Sequence, residues 1–236
     1  MAKKTTDIMM KRYELTLTGL TPLILHSMNF RFAEKIAEWR KAPENKEFKK
    51  PGDDRSPAWT WIGCLYTDGR NLTMSSDCLA TCLREAAKKV PTGNTRGDKS
   101  YKKLAQSGIQ FDTTEFDLLV NGKSIPLKPI NDLIGEMDYA AHEEVAFDYG
   151  FELFAKAVRV QQARHIRVRP MFRNWVVKGT ITVLDEEMFG LKPEILRTIW
   201  DQAGAFCGLG DWRPSAQTAP GPYGRFSAEL KPIPLA

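Results

Sequence analysis

GLGDWRPSAQTAPGPYGRF, residues 208–226, lies between a helical pattern and a strand pattern and contains four glycines, three prolines and two arginines. Glycine allows positive φ angles and lets another chain approach the backbone closely. Arginine presents a planar fork of donors that fits a phosphate. A loop that combines bare amides with guanidinium groups suits a phosphate backbone, but a long structural turn uses the same glycines and prolines. This stretch, the glycine-rich loop, leaves both interpretations open.

The overall composition favours a soluble protein with an acidic partner. The chain has 236 residues, 42% hydrophobic and 27% charged, and a net charge of +5. That length suits one large domain, or one small domain that carries insertions. No apolar run reaches the roughly 20 residues needed to span a bilayer, and the amino-terminal sequence lacks the apolar segment of a signal peptide. We therefore expect a cytoplasmic location and no membrane partner.

Neither the cysteines nor the carboxylates have the spacing of a metal site. Four cysteines form no CxxC pair and have no histidine nearby, so we expect buried free thiols. The adjacent pairs Glu143–Glu144 and Glu186–Glu187 point their side chains apart, whereas a two-metal site needs convergent ligands. The glycine-rich loop is not followed by the Gly-Lys-Ser/Thr of a P-loop. The sequence predicts no metal and no cofactor.

Charge is segregated along the chain. Residues 131–152, the acidic block, contain seven acids and no lysine or arginine, and residues 153–184, the basic block, contain seven bases and no acid. A solvated face is normally mixed in sign, and a block of one sign repels itself. The basic block therefore predicts a contact surface for a polyanion, while the acidic block could screen it or meet the basic block of a neighbouring copy. The five arginines of the basic block are Arg159, Arg164, Arg167, Arg169 and Arg173.

Hydrophobic periodicity indicates an α+β fold. Strand and helix patterns alternate in the order β-α-β-β-α-β, which is the ferredoxin-like plan. Residues about 20–74 and 91–153 would be insertions in one domain that spans 1–236. The predicted core elements are 11–19, 75–90, 154–162, 171–184, 193–206 and 224–232.

Three elements are predicted inside the insertions. Residues 30–41 have apolar side chains near helical spacing, and residues 59–66 look like a strand. Residues 116–125 form a hairpin pattern with Asn121–Gly122 at its tip, a pair typical of a type I′ turn.

These patterns resemble the ferredoxin-like core of the RRM and RAMP type, and in particular the RAMP superfamily of CRISPR proteins. The opening YELTLTGLTPLILHS, residues 13–27, and the closing glycine-rich loop look most like the backbone-subunit branch and its phage-encoded relatives. The resemblance implies that one subunit binds several nucleotides of single-stranded DNA or RNA. It also implies head-to-tail assembly into a filament, a thumb hairpin within the insertions, and a bacterial or phage-infected host cell.

In that branch the glycine-rich loop and basic residues near the central strands face the nucleic-acid backbone. Trp212 and Tyr223 flank arginines in the loop, where each ring could stack on a base or pin the loop to the sheet. Arg159 belongs to the same basic block. Carried onto this chain, the resemblance implies that the backbone contacts are Gly208, Gly210, Arg213, Gly221, Gly224 and Arg225, with Arg164, Arg167, Arg169 and Arg173.

Histidines are possible catalytic or phosphate-binding residues, and the chain has three. RNA-processing endonucleases of the same superfamily often use a histidine as general base, and His26, after the first strand, is the candidate here. His165 lies among the arginines, where it could help to bind phosphate, and His142 is expected at the surface. The main hypothesis is a homo-oligomeric binding protein without enzymatic activity. A metal-independent endoribonuclease and a protein-interacting decoy of a CRISPR subunit are the alternatives.

Overall fold

The structure is a computed structural model of the chain and describes residues 10–160, 162–218 and 220–234. It combines helices with antiparallel strands, which confirms the predicted α+β class. Two compact units are present. The first comprises the residues up to Thr21, Met74–Asp117 and those from Val176 onward, and the second comprises Pro22–Thr73 and Leu118–Trp175.

The regular elements follow in chain order. The strands are β1 (Lys11–Gly19), β2 (Leu23–Ile24), β3 (Thr73–Ser75), β4 (Ile109–Phe111), β5 (Glu115–Val120), β6 (Lys123–Ser124), β7 (Glu152–Val160), β8 (Ala163–Phe172), β9 (Trp175–Val183) and β10 (Phe226–Ile233). The helices are α1 (Phe30–Lys41), α2 (Ser76–Ala87), α3 (Lys102–Gly108), α4 (Leu127–Asn131), α5 (Tyr139–Asp148), α6 (Glu186–Phe189) and α7 (Pro193–Gln202). Two 3₁₀ helices (Pro43–Phe48, Ala58–Cys64) and a π-helical turn (Ala203–Cys207) complete the set.

The larger sheet, most of which belongs to the first unit, has the strand order β10-β1-β9-β5-β3, and β4 also pairs with β9. β1 is antiparallel to both of its neighbours, so that Leu15 lies opposite Leu230 of β10 and Gly179 of β9. Tyr13, Leu15 and Leu17 are buried, as the alternating pattern predicts. Position 179 requires glycine, because a Cβ there would overlap the ring of Phe116.

Helices α2 and α7 pack against each other in this unit, and α7 also packs against β10. Ser75 caps α2 by accepting a hydrogen bond from the backbone N of Asp77. Pro193 occupies the first turn of α7, where its missing N–H costs nothing. Phe206 is 53% exposed, although the helical pattern places it inward. It lies in the π-helical turn, whose wider spacing breaks the α-helical face.

Two predicted core strands are wrong in their placement. The segment predicted as 154–162 forms β7, but β7 pairs with β8 in the second unit and not with β1 or β9. The segment predicted as 171–184 is divided at Arg173 and Asn174 between the end of β8 and β9. Periodicity shows which face of a strand is buried, but it does not show which sheet the strand joins.

The second unit contains the three-stranded sheet β2-β8-β7. The predicted helix 30–41 is α1, and Asn29 caps it through the backbone N of Phe32 at 3.1 Å. The predicted hairpin is β5–β6, with positive φ angles at Asn121 (50°) and Gly122 (78°). The predicted strand 59–66 is wrong, because Ala58–Cys64 is a 3₁₀ helix. A short run of buried apolar residues has no period that separates a strand from a helix.

Within the described part of the chain, no helix combines the length and the apolar character needed to cross a membrane.

Candidate nucleic-acid interface

The antiparallel pair β7–β8 positions the arginines of the basic block. Arg159 of β7 lies directly opposite Arg164 of β8. Cross-strand partners share a face of a sheet, and successive residues alternate between faces. Arg159 and Arg164 are therefore on one face, while Arg167 and Arg169 are on the other. Four of the five predicted arginines thus form two sets with different surroundings.

Arg167 and Arg169 share one buried carboxylate. Their Nη1 atoms donate to Asp54 Oδ1 at 2.8 Å and to Asp54 Oδ2 at 3.0 Å. The side chain of Asp54 is 6% exposed, and those of Arg167 and Arg169 are 33% and 10% exposed. A buried charge is stable only when it is paired and hydrogen-bonded. Both arginines therefore hold an internal counterion, and their predicted contact with phosphate stays a prediction.

Asp54 reaches the arginines because its segment runs beside β8. The backbone N of Ile166 donates to Gly52 O at 2.8 Å, and the N of Asp54 donates to Ile166 O at 3.0 Å. Asp54 precedes the two arginines by 113 and 115 residues. The acid-free stretch around the arginines therefore gives no sign that their counterion comes from a distant part of the chain. The one indication in the sequence is that Asp53 and Asp54 lie among basic residues in KKPGDDR, residues 49–55.

Arg159 and Arg164 have no such counterion. Both side chains are exposed, and neither makes an ion pair or a side-chain hydrogen bond within the described residues. Like charges placed directly opposite each other on a sheet are destabilising. A shallow depression of about 530 Å³ is lined by Arg159, Arg164, Ala157, Val158 and Gln162. This face of the hairpin is a part of the basic block that is open to a ligand.

Arg173 follows β8 and contacts the acidic block. Its Nη2 lies 2.6 Å from Glu152 Oε1, and both side chains are about half exposed to solvent or more (64% and 46%). An exposed ion pair contributes about 0–1 kcal/mol to stability, so a phosphate could replace Glu152 at little cost. The two charge blocks therefore meet at this position within one subunit.

His26, the alternative catalytic residue, is exposed at a cleft of about 380 Å³ that Asp54, Arg167 and Thr60 also line. Arg169 Nη2 lies 3.3 Å from His26 Nε2. Because arginine has donors only, this ring nitrogen must accept the hydrogen bond. A general base needs a ring nitrogen that can take a proton from the substrate, and Arg169 occupies Nε2. The geometry does not favour His26 as a base through this nitrogen.

His165 lies on β8 next to the turn that contains Gly52. Its ring is half-buried, and its Nδ1 has no hydrogen-bond partner among the described residues. A Cβ on Gly52 would lie 2.7 Å from that nitrogen, so glycine allows the turn to pack on the imidazole. A phosphate contact by His165 stays a prediction.

His142 is completely buried, which corrects the expectation of a surface position. Trp61 Nε1 donates to its Nδ1 at 3.1 Å, and its Nε2 lies 3.1 Å from Glu136 O. Nδ1 is therefore the acceptor, Nε2 carries the hydrogen, and the ring is neutral. Burial lowers the pKa of His142 below its ordinary value. A lone histidine within an acidic sequence gave no sign of this role.

The glycine-rich loop belongs to the first unit and packs against itself. Gly208 and Gly224 have φ angles of 72° and 71°, and the N of Leu209 donates to Gly224 O at 2.9 Å. A Cβ on Gly224 would overlap the backbone of Leu209, and one on Gly221 would overlap the backbone of Trp212. The close approach that requires glycine is thus made by the loop's own backbone. This favours the structural-turn interpretation, and phosphate contacts by these glycines stay predictions.

The loop arginines also hold the loop together. Arg213 donates from Nη1 to Gly210 O at 3.1 Å and from Nε to Ser215 Oγ at 3.2 Å. The guanidinium of Arg225 donates to Ala205 O. Both arginines are half-buried, and each keeps further N–H donors beyond these contacts.

Trp212 and Tyr223 pack on each other. Their ring centroids are 6.4 Å apart with an interplanar angle of 47°, and both residues are half-buried. This geometry fits rings that pin the loop. Base stacking by either ring stays a prediction.

Three of the four cysteines are buried as predicted. Within the described residues none of the four forms a disulfide, and Cys64, Cys82 and Cys207 are buried, whereas Cys78 is half-buried. Across the described residues, no group of three or more histidine, cysteine, aspartate or glutamate side chains is arranged to hold a metal ion.

No protein-family model matches the chain, and no curated protein matches it.

Replacing Gly224 with alanine should lower the free energy of unfolding more than replacing Gly97 with alanine. Both glycines have positive φ angles (71° and 83°), so both variants acquire similar backbone strain. Only at Gly224 does the new Cβ meet another backbone, while nothing lies within 4 Å of it at Gly97. We expect an extra loss of about 1–3 kcal/mol in the free energy of unfolding, measured by denaturant titration. Equal losses would show that the loop yields freely.

Acidification below about pH 6.5 should destabilise the protein through His142. Since the folded-state pKa lies below the unfolded value, the unfolded state binds more protons in this range. Stability is therefore complete above the unfolded pKa and falls as the pH drops toward the folded pKa. Urea unfolding at pH 7.5 and pH 5.5 measures the loss, which His142→Gln should remove and His165→Gln should retain. An unchanged loss in His142→Gln would contradict the assignment.

Proposed function

We propose that this chain is a single-stranded nucleic-acid-binding protein of RAMP type, without enzymatic activity, that assembles head to tail on DNA or RNA. The observation that carries the proposal concerns Arg159 and Arg164, which lie opposite each other on β7–β8. Both side chains are exposed, and neither has a counterion among the described residues.

The proposed core is ferredoxin-like, with β5 as its second strand in place of 154–162. It consists of β1, α2, β5, β9, α7 and β10 in chain order. In the ferredoxin-like plan the first strand lies between the third and the fourth. The sheet order β10-β1-β9-β5 fits that arrangement, since β1 lies between β9 and β10. The long insertion between β5 and β9 then carries the basic strand pair β7–β8, the proposed thumb.

The charge on β7–β8 supports a polyanionic ligand. Residues 153–172 contain no acid, and the internal counterion Asp54 contacts only the face of Arg167 and Arg169. Arg159 and Arg164 lie side by side without compensation, which costs stability in the free protein. A phosphate backbone removes this repulsion and releases its own counterions when it binds. The depression between the two side chains gives a phosphate group a place to bind.

The two alternatives have less support. The endoribonuclease hypothesis needs a free base, and Arg169 occupies Nε2 of His26. The decoy hypothesis gives no role to an exposed pair of like charges in a hairpin.

Replacing Arg159 and Arg164 together with glutamine should weaken the binding of every single-stranded sequence alike. Each lost phosphate contact flattens the salt dependence by about 0.7, so the slope of log K against log salt should change by about 1.4. The matched control is Arg70→Gln with Lys123→Gln, two exposed bases of the same unit outside the basic block. Labelled oligonucleotides titrated at several salt concentrations provide the measurement.

Three results would contradict the proposal. An unchanged slope in the folded double variant would make the hairpin an ordinary solvated face. Cleavage of the strand in the presence of a chelator would favour the endoribonuclease. Absence of binding by the unaltered protein at low salt would favour the decoy.

Assembly should depend on the exposed acids of α5. Glu143 and Glu144 are exposed, and patches of opposite sign on one chain favour a head-to-tail contact that propagates. Sedimentation should show large species at low salt that dissociate at high salt, and Glu143→Gln with Glu144→Gln should reduce them. Glu34→Gln with Glu38→Gln, on the exposed helix α1, is the matched control. A monomer at every salt concentration, with and without an oligonucleotide, would refute head-to-tail assembly.

A further inference from the structure

A second basic site lies in the segment after α1, away from Arg159 and Arg164. A pocket of about 310 Å³ opens there, and its lining contains three cations and no acid. The lining residues are Arg40, Lys49, Lys50, Pro51, Gly52 and Ser56.

Hydrogen bonds fix the shape of this pocket. The buried Ser56 donates from Oγ to Phe48 O at 2.6 Å and accepts from the backbone N of Lys50 at 3.0 Å. The N of Asp53 donates to Lys50 O at 3.1 Å, which closes the turn around Gly52. A loop held in this way loses little conformational entropy when a ligand binds.

The acids beside the pocket are neutralised by other residues. Asp53 accepts from Arg55 Nη2 at 2.8 Å, and this contact lowers the pKa of Asp53. Asp54 is held by Arg167 and Arg169. Within the described residues the pocket cations form no ion pair with either acid, although the charge of Lys50 also contributes to the lowered pKa of Asp53.

Two of the pocket cations, Arg40 and Lys49, contact backbone carbonyls. Lys49 Nζ donates to Ala42 O at 3.2 Å, and Arg40 Nη2 lies 3.5 Å from Ser56 O. None of Arg40, Lys49 and Lys50 is in an ion pair within the described ranges. Each keeps further N–H donors for a ligand.

We propose that this pocket is a binding site for a phosphate group. Three cations around a preformed concave surface attract a dianion far more than a neutral ligand, and both lysine and arginine donate to phosphate oxygens. The turn at Gly52 packs on His165 of β8, so the pocket adjoins the basic hairpin. The phosphate can belong to a nucleic-acid strand that continues from the hairpin, or to a free small molecule. The site does not depend on the proposed function, because inorganic phosphate alone tests it.

The first experiment titrates inorganic phosphate, at constant ionic strength held with chloride, into the full chain. Calorimetry should show binding that Lys49→Gln with Lys50→Gln weakens by at least about tenfold, since hydrogen bonds to charged groups are the strong ones. Lys41→Gln with Lys46→Gln removes the same charge from exposed positions outside the pocket and should leave the affinity unchanged. Arg40→Gln gives a second reading if the double variant does not fold.

Two results would overturn the site. One is the absence of phosphate binding by the unaltered protein. The other is an equal loss of affinity in the pocket variant and in the Lys41/Lys46 variant, which would show general charge attraction only.

A second experiment identifies the source of the phosphate, with one oligonucleotide carrying either a 5′-phosphate or a 5′-hydroxyl. Tighter binding of the 5′-phosphate form, lost in the Lys49/Lys50 variant, assigns the site to a strand end. Equal binding of both forms, weakened in that variant, assigns it to an internal phosphodiester. Oligonucleotide binding that the variant leaves unchanged assigns it to a free phosphate compound such as adenosine 5′-monophosphate. Phosphate binding without oligonucleotide binding would refute the proposed function and retain the pocket.

Discussion

The paired contact of Asp54 with Arg167 and Arg169 is the interaction on which the second unit depends. One buried carboxylate neutralises part of a strand that would otherwise repel itself, and it brings the segment around Gly52 beside β8. Loss of one partner from a buried ion pair typically costs about 3–5 kcal/mol, because the remaining charge stays buried without compensation. The same contact fixes the position of the turn that lines the phosphate pocket and packs on His165.

This internal pairing divides the basic block by role. Arg167 and Arg169 hold the fold together, while Arg159 and Arg164 on the other face remain exposed and unpaired. The division follows from the two-residue period of a strand, which places alternate side chains on opposite faces. A block of five arginines thus supplies both a structural ion cluster and a candidate ligand surface, and their sequence order alone does not separate the two.

The glycine-rich loop shows that residue types typical of a ligand site can instead make contacts within the protein. Its glycines and arginines suggested a ligand-binding loop, but Gly224 allows the approach of Leu209. Arg213 donates to a carbonyl within the loop, and Arg225 donates to a carbonyl of the preceding π-helical turn. Glycine is required wherever two backbones come close, whether the second backbone belongs to a ligand or to the protein itself. Residue types alone therefore leave this function undecided.

The amino-acid sequence was enough to predict the features that depend on neighbours along the chain. These are the α+β class, helix α1 at its full length, the turn at Asn121–Gly122 and the segregation of charge. Helical and strand periods and turn chemistry act over a few residues, so a single chain displays them. Three features became visible only in the folded chain: β7 pairs with β8 outside the larger sheet, His142 is buried against Trp61, and Asp54 faces the arginines. Those contacts join residues far apart in sequence, and no local pattern specifies which distant partner a buried charge or a strand edge will have.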